Sequence, residues 1–338
     1  MNQLAHPKTL IIAEIGVNHN GDLDIAKTLI QQAAMAGADV VKFQSFNTDL
    51  LVTENAPKAE YQQDLKSNDT NYEMLKKLEL DKNDHIELID ECKKNNIEFL
   101  STAFDIDNLD FLLKLDMNRI KISSGEITNL PFLKHISSID MPVILSTGMA
   151  DLNEVQDAVD ILLSNKLSKN NLSILHCTSQ YPAPFHEINL HAIKTLKNSF
   201  SVDVGYSDHT LGIEASVAAV ALGATIIEKH ITLDVNSTGP DHKASIEPDS
   251  FKDMTSAIRN IEIGLGNGHK KPSEAEVEMK NIARKSLVAK KSISKNEILS
   301  EENVIIKRPG NGISPMLIEE VLGSKAVQSF KEGELIIK

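Results

Sequence analysis

From about residue 10 to residue 266 the chain alternates between short runs of β-branched and other apolar residues and longer stretches in which apolar residues recur every three or four positions. The first pattern predicts buried strands and the second amphipathic helices, because side chains alternate faces along a strand and return to one face about every 3.6 residues along a helix. Strands are expected near residues 10–15, 40–44, 98–103, 119–123, 143–147, 172–178, 202–207 and 225–231. Between them, Ile25, Leu29, Ala33 and Ala36 share one helical face, as do Leu152, Val155, Val159 and Leu162, and Phe251, Met254, Ile258 and Ile261. Asp151 with Glu154 reads as a capping box, and Gly37 and Gly223 stand where helices should stop before the next strand. Eight such units fit a closed (β/α)8 barrel, an α/β fold, more economically than an open doubly wound sheet, which remains the alternative.

The pattern changes after Gly264. GNGHKKPSEAE is rich in Gly, Pro and charge, and 284–338 holds short β-like runs separated by turn residues. A barrel over 1–266, a linker over 267–283 and a small second domain over 284–338 are therefore expected, the last at a size that often needs a partner surface. Segment 48–70 is a long polar excursion after the second strand, and a barrel would set it at the catalytic mouth.

Composition narrows the class. With 41% hydrophobic and 25% charged residues among 338, the chain is an ordinary globular protein rather than a disordered or disulfide-framework one. A net charge of −13 disfavours general nucleic-acid binding, which needs a basic face. Cys92 and Cys177, far apart in sequence, fit a reducing compartment. The start, MNQLAHPKTLIIAEIG, has too brief an apolar run for a secretory signal, and the longest apolar stretch, 217–227, is too short to span a membrane. A cytoplasmic protein with no membrane role is expected.

Barrel active sites collect at the C-terminal ends of the strands, and here those ends are polar and ionisable. They carry Glu14; Lys42 and Gln44; Ser101 and Thr102; Lys121, Ser123, Ser124 and Glu126; Ser146 and Thr147; His176 and Thr178; Tyr206, Ser207, Asp208 and His209; Glu228, Lys229 and His230. Unpaired charge in a barrel lumen is costly, so such a ring calls for a ligand, a metal or mutual pairing; a purely structural ion-pair network is the bland alternative. Parity puts Lys42 with Gln44, and Glu228 with His230, on one face. Of eleven histidines, His209 and His230 lie at the exits of neighbouring strands, and a pair of neutral imidazoles suits a divalent transition metal in a weak, open site. Lys42 and Lys121, with Thr102, Ser124 and Ser146, would form a basic pocket for a small phosphate- and carboxylate-bearing substrate. A Schiff base on Lys42, Lys121 or Lys229 is the covalent rival.

Eight segments make the sequence recognisable: AEIGVNHNGD (13–22), AGADVVKFQ (36–44), KISSGEITNLP (121–131), LSTGMA (145–150), GYSDHT (205–210), IEKHIT (227–232), GPDHKAS (239–245) and KRPGNGIS (307–314). Together they resemble the sialic acid synthase family over nearly the whole chain, and the tail resembles the antifreeze-like SAF domain of those enzymes. The resemblance implies a (β/α)8 TIM barrel joined to an SAF domain that caps the partner's barrel in a domain-swapped homodimer. It implies a synthase that condenses phosphoenolpyruvate with N-acetylmannosamine to give N-acetylneuraminate and phosphate, with N,N'-diacetyllegionaminate or pseudaminate synthesis from differently decorated hexoses as the alternative. A metal, typically manganese with magnesium or cobalt as other choices, would fall on His209 and His230. Phosphoenolpyruvate would be held by Lys42, Thr102, Lys121, Ser124, Ser146 and Ser207, and the N-acetylated hexosamine by Glu14, Gln44, Tyr181 and Asp241, with Arg308 reaching the N-acyl group from the partner. Glu126 is the candidate for proton handling. Ser179 departs from the Asn or Thr that relatives often carry there. A sugar-binding barrel without turnover is a weaker alternative, which fold alone cannot exclude.

Overall fold

A computed structural model describes residues 8–59, 62, 69–115 and 117–338. The starting segment MNQLAHP, and residues 60, 61 and 63–68 of the polar excursion at 48–70, lie outside the described residues. Eight parallel strands close into a barrel: β1 (Leu10–Gly16), β2 (Val40–Ser45), β3 (Glu98–Ala103), β4 (Ile120–Ile122), β5 (Val143–Ser146), β6 (Leu172–Cys177), β7 (Asp203–Asp208) and β8 (Ile226–His230). β8 returns to pair with β1, so no strand edge is left open. The closed barrel, and not the open sheet, is the fold.

The barrel helices are α1 (Leu23–Met35), α2 (Lys82–Lys94), α3 (Ile106–Leu113), α4 (Leu130–Ser137), α5 (Leu152–Leu162), α6 (Ala192–Phe200), α7 (Glu214–Ala221) and α8 (Pro248–Gly264). Their starts are written in the sequence. Asp22 accepts from the backbone N–H groups of Asp24 and Ile25, and Asp151 and Glu154 form the expected capping box. Gly37 and Gly223 adopt φ of +87° and +101°, a left-handed turn that releases each helix into the following strand. The inward faces of α1 and α5 bury Leu29 and Ala33, and Val155, Val159 and Leu162; Leu152 was expected on that face but is exposed, because it opens the helix beside its cap.

β4 is shorter than expected. Ser123 accepts from Gly125 N and starts a 3₁₀ turn over Ser124–Glu126, which takes the end of the polar run out of the strand.

The chain divides into two compact units between Asn267 and Gly268. In the second unit, β9 (Ser286–Ala289) and β10 (Val304–Lys307) pair antiparallel over a small core that includes Leu287, Leu299, Val304, Phe330 and Ile336. Part of the expected linker is ordered: Glu274–Ala283 forms a helix opened by a capping box of Ser273 and Glu276, and it belongs with the second unit although none of its residues is buried. The capping box was present in the sequence, but its high charge masked it.

Candidate active site

A cavity of about 350 Å³ opens at the C-terminal end of the barrel. Most of the residues expected at the site line it: Glu14, Lys42, Gln44, Thr102, Lys121, Ser124, Ser146, Tyr181, Ser207, His209 and His230. Strand register explains why residues so distant in sequence meet. Glu14 pairs with Lys42 on one side and with His230 on the other, Thr102 pairs with Lys121, and Ser207 pairs with Glu228.

The floor is a buried charge cluster. Lys42 Nζ lies 2.5 Å from Glu14 Oε2 and donates to Thr102 Oγ1 at 2.9 Å. Lys121 Nζ donates to Ser146 Oγ at 2.8 Å. Glu228 stands between the two lysines, 3.8 Å from Lys42 and 3.5 Å from Lys121, and its Oε1 accepts from Ser207 Oγ at 2.9 Å. Gln44 Nε2 donates to Glu14 Oε1 at 3.4 Å, as the shared face of residues 42 and 44 requires.

The two glutamates are driven apart in acidity. Burial pushes the Glu14 carboxyl up to about 7, with Lys42 opposing and Glu228 adding to the rise. Burial would also raise Glu228, but Lys121 and Lys42 together hold it down at about 2. Two carboxyls in one cavity, one able to hold a proton near neutrality and one firmly ionised, are the raw material of acid–base chemistry.

Against this floor stand the histidines. The rings of His209 and His230 have centroids 5.4 Å apart, and the Tyr181 ring packs 4.1 Å from His209. The Thr178 carbonyl accepts from His209 Nδ1 at 2.8 Å, which fixes the ring and leaves Nε2 as the nitrogen that a cation would take on loss of its proton. His230 Nδ1 is buried without a hydrogen-bond partner, and Asp241 Oδ2 lies 3.8 Å away. Burial, reinforced by the charges of His209 and Lys42, lowers His230 well below its ordinary value, so its imidazole is neutral. Burial pulls His209 the same way, but Cys177 and the Thr178 carbonyl prevail and raise it to about 9. His230 offers a neutral nitrogen, and His209 offers a second once a divalent cation displaces its proton, so the pair suits such a cation in competition with that proton. Among the described residues no group of three or more His, Cys, Asp or Glu converges on one point, so other positions around a cation would fall to water or substrate.

Some expectations fall elsewhere. Glu126 is buried but does not line the cavity; its Oε2 accepts from Asn129 Nδ2 at 2.6 Å. Asp241 stands behind His230, outside the lining, and burial pushes its carboxyl up to about 6. Lys229 is removed from the Schiff-base candidates: it is fully buried 3.0 Å from Asp208, away from the cavity. Arg308 belongs to the second unit, beyond β10. Ser123 and Glu228, expected at the strand exits but given no ligand to hold, also line the cavity, as do Ser179, marked only as a departure, and Cys177, which the strand-exit reading passed over. For Glu228 the signal was available, since two buried lysines need a counter-charge and Glu228 shares a face with His230.

Residues 29–270 match the NeuB family and residues 284–337 match the SAF domain. An N,N'-diacetyllegionaminic acid synthase of Campylobacter jejuni is 55% identical over 330 residues, 97% of this chain and 99% of its own length. A protein of the same name from Legionella pneumophila is 46% identical over 97% of this chain and 93% of its own. Among solved structures, an N-acetylneuraminic acid (sialic acid) synthetase of Leptospira borgpetersenii, in complex with citrate, superposes with a TM-score of 0.72 at 36% identity, covering 81% of this chain and 90% of that one.

Proposed function

Because the chain belongs to the NeuB family, the sialic acid synthases, we propose that it condenses phosphoenolpyruvate with a hexose carrying two acetamido groups, giving N,N'-diacetyllegionaminate and phosphate. The enzyme is a phosphoenolpyruvate-dependent nonulosonic acid synthase, a transferase that forms a carbon–carbon bond. Phosphoenolpyruvate contains no nitrogen, so both acetamido groups of such a product must arrive on the acceptor. The observation that carries the reaction class is the meeting, in one cavity, of the Lys42 and Lys121 floor with the His209 and His230 pair. The identity to two synthases of that name supports the finer choice of acceptor. N-acetylneuraminate synthesis from N-acetylmannosamine is the second reading, favoured by the likeness to the Leptospira structure.

In this reading Lys42 and Lys121 hold the phosphate and carboxylate of phosphoenolpyruvate through charge-assisted hydrogen bonds, with the hydroxyls of Thr102, Ser124, Ser146 and Ser207 completing the cradle. Glu14, Gln44, Tyr181 and Asp241 orient the open-chain sugar, and Arg308 reaches its N-acyl group from the partner subunit of a homodimer. His209 and His230 hold a divalent cation, manganese by preference, with magnesium or cobalt as substitutes. Bound there, a cation acts as a Lewis acid toward a carbonyl oxygen. The lysine and hydroxyl cradle keeps C3 of the enol phosphate against the aldehyde carbon, an orientation effect that accounts for much of the acceleration in two-substrate reactions. Glu14, poised near 7, holds a proton at its carboxyl close to the acceptor. Water adds at C2, and Lys42 and Lys121 receive the departing phosphate as the C2–O bond breaks. The protein works in the cytoplasm in this reading; no described helix is long and apolar enough to cross a membrane.

Mass spectrometry of products formed from phosphoenolpyruvate and a panel of acetamido-hexoses tests the proposal. Phosphate release with the diacetamido acceptor, in preference to N-acetylmannosamine, is expected. Turnover with N-acetylmannosamine alone would move the assignment to the second reading, and binding without phosphate release would remove the synthase.

A further inference from the structure

Each histidine of the pair follows a charged residue: Asp208 precedes His209, and Lys229 precedes His230. Ser207 and Glu228 line the cavity, so alternation along β7 and β8 turns Asp208 and Lys229 to the opposite face, into the layer beneath the helices. Both side chains are completely buried, 3.0 Å apart, and the strand register sets the two residues directly opposite each other.

The pair is fully engaged. Asp208 Oδ1 accepts from Thr210 N at 2.9 Å and from Thr210 Oγ1 at 2.8 Å, while Oδ2 accepts from Ser216 Oγ of α7 at 2.6 Å. Lys229 Nζ donates to the Thr210 carbonyl. The residue after His209 is thereby held at its N–H, its hydroxyl and its carbonyl, and the residues before both histidines are locked to one another. As a source of stability this is a poor bargain, because a buried ion pair can usually be replaced by apolar residues of similar size without loss. What it does provide is a fixed backbone at the two strand exits from which the imidazoles project.

We infer that Asp208 and Lys229 are positioning residues: their buried pair sets the spacing of the His209 and His230 imidazoles and so governs affinity for the divalent cation, with no contact to cation or substrate. The inference rests on the reading that these histidines hold that cation. Residues that orient metal ligands from behind typically change metal affinity by about 10- to 100-fold when altered.

The test is the dissociation constant for Mn2+, read by the electron paramagnetic resonance of the free ion on the full-length protein, alongside thermal melting and metal-free phosphoenolpyruvate binding by calorimetry. The double variant Asp208→Leu/Lys229→Met replaces the pair with apolar groups. Because it also removes the partners of the buried Thr210 and Ser216 groups, it should melt below the native temperature, yet bind phosphoenolpyruvate within about twofold of native and Mn2+ about 10- to 100-fold more weakly. A folded double variant with native Mn2+ affinity overturns the inference. Ser216→Ala keeps the ion pair and deletes one bond to Asp208; it should weaken Mn2+ by a smaller factor. If the double variant does not fold, Ser216→Ala decides, and a native constant in it overturns the inference. His209→Ala separates the two levels: Mn2+ binding that survives it overturns the metal reading and this inference together, whereas binding lost in His209→Ala but native in the double variant overturns this inference alone.

Discussion

Glu14 and Lys42 face each other across the β1–β2 register with carboxylate and ammonium 2.5 Å apart, both buried. Breaking such a pair from one side leaves an uncompensated group in a low-dielectric site, which costs about 3–5 kcal/mol. Lys42→Met is expected to destabilise the barrel by about 3 kcal/mol in urea unfolding at pH 8. Without the ammonium, Glu14 takes up a proton more readily, so the loss should be smaller at pH 6. Phosphoenolpyruvate binding, followed by calorimetry, should weaken by about 100-fold, since one charged hydrogen-bond donor is gone from the cradle.

The split acidity of the two glutamates gives stability a signed pH dependence. Glu14 is raised in the folded protein to about 7, so its contribution is complete below about 4.5 and fades as pH rises from there to 7. Glu228 is lowered to about 2, so its contribution is complete above about 4.5 and fades as pH falls toward 2. Unfolding free energies measured from pH 2.5 to 8 should therefore lose the neutral-side slope in Glu14→Gln and the acid-side slope in Glu228→Gln, each worth up to about 3 kcal/mol across its window. Identical profiles in native and variant protein would show that these carboxyls titrate alike folded and unfolded.

Removal of divalent cations should abolish condensation while sparing the floor of the site. Chelation with EDTA, or His209→Ala, is expected to lower phosphate release by about 10³-fold, consistent with a Lewis acid's several kcal/mol of transition-state stabilisation. Manganese add-back should restore the chelated native enzyme and not the variant. Phosphoenolpyruvate affinity, which depends on Lys42 and Lys121, should change little. Undiminished turnover by metal-free His209→Ala would eliminate cation-dependent chemistry.

Gly148 is the tightest point around the serines. A Cβ there would come within 2.1 Å of Ser179 Oγ, 2.9 Å of Ser124 Oγ and 3.2 Å of Cys177 Sγ, while its N–H donates to Ser124 Oγ at 2.9 Å. Gly148→Ala must push these cavity-lining groups aside, at about 1–3 kcal/mol of packing strain. Steady-state kinetics should show the KM for phosphoenolpyruvate rising by about tenfold, with a modest drop in melting temperature.

The barrel could be read closely from the sequence because its strands are buried on both faces and appear as continuous apolar runs, each stopped by a polar exit. Strand ends agree with expectation to within about two residues, aided by helix-stopping glycines such as Gly37 and Gly223. The site was legible where parity decided it, at Lys42 with Gln44 and at Glu228 with His230. It was less so where the chain leaves regular structure. Glu126 stands at a polar strand exit like the others, but the 3₁₀ turn begun at Ser123 carries it to Asn129 and out of the cavity lining. Cys177 passed as an ordinary small residue and Ser179 was marked only by its departure from relatives, because their close approach at the side-chain-free Gly148 brings together positions that no local pattern links.

The seam between β1 and β8 has a consequence for biosynthesis. Glu14 lies on the first strand of the barrel and His230 on the last, yet the two are register partners. A prematurely terminated polypeptide that ends before β8 carries both lysines of the floor but neither the Glu228 counter-charge nor the full imidazole pair, and its first strand presents an unsatisfied edge. Such a fragment has no means of joining the two reactants and every reason to aggregate, so competence arrives all at once, when the last stave docks.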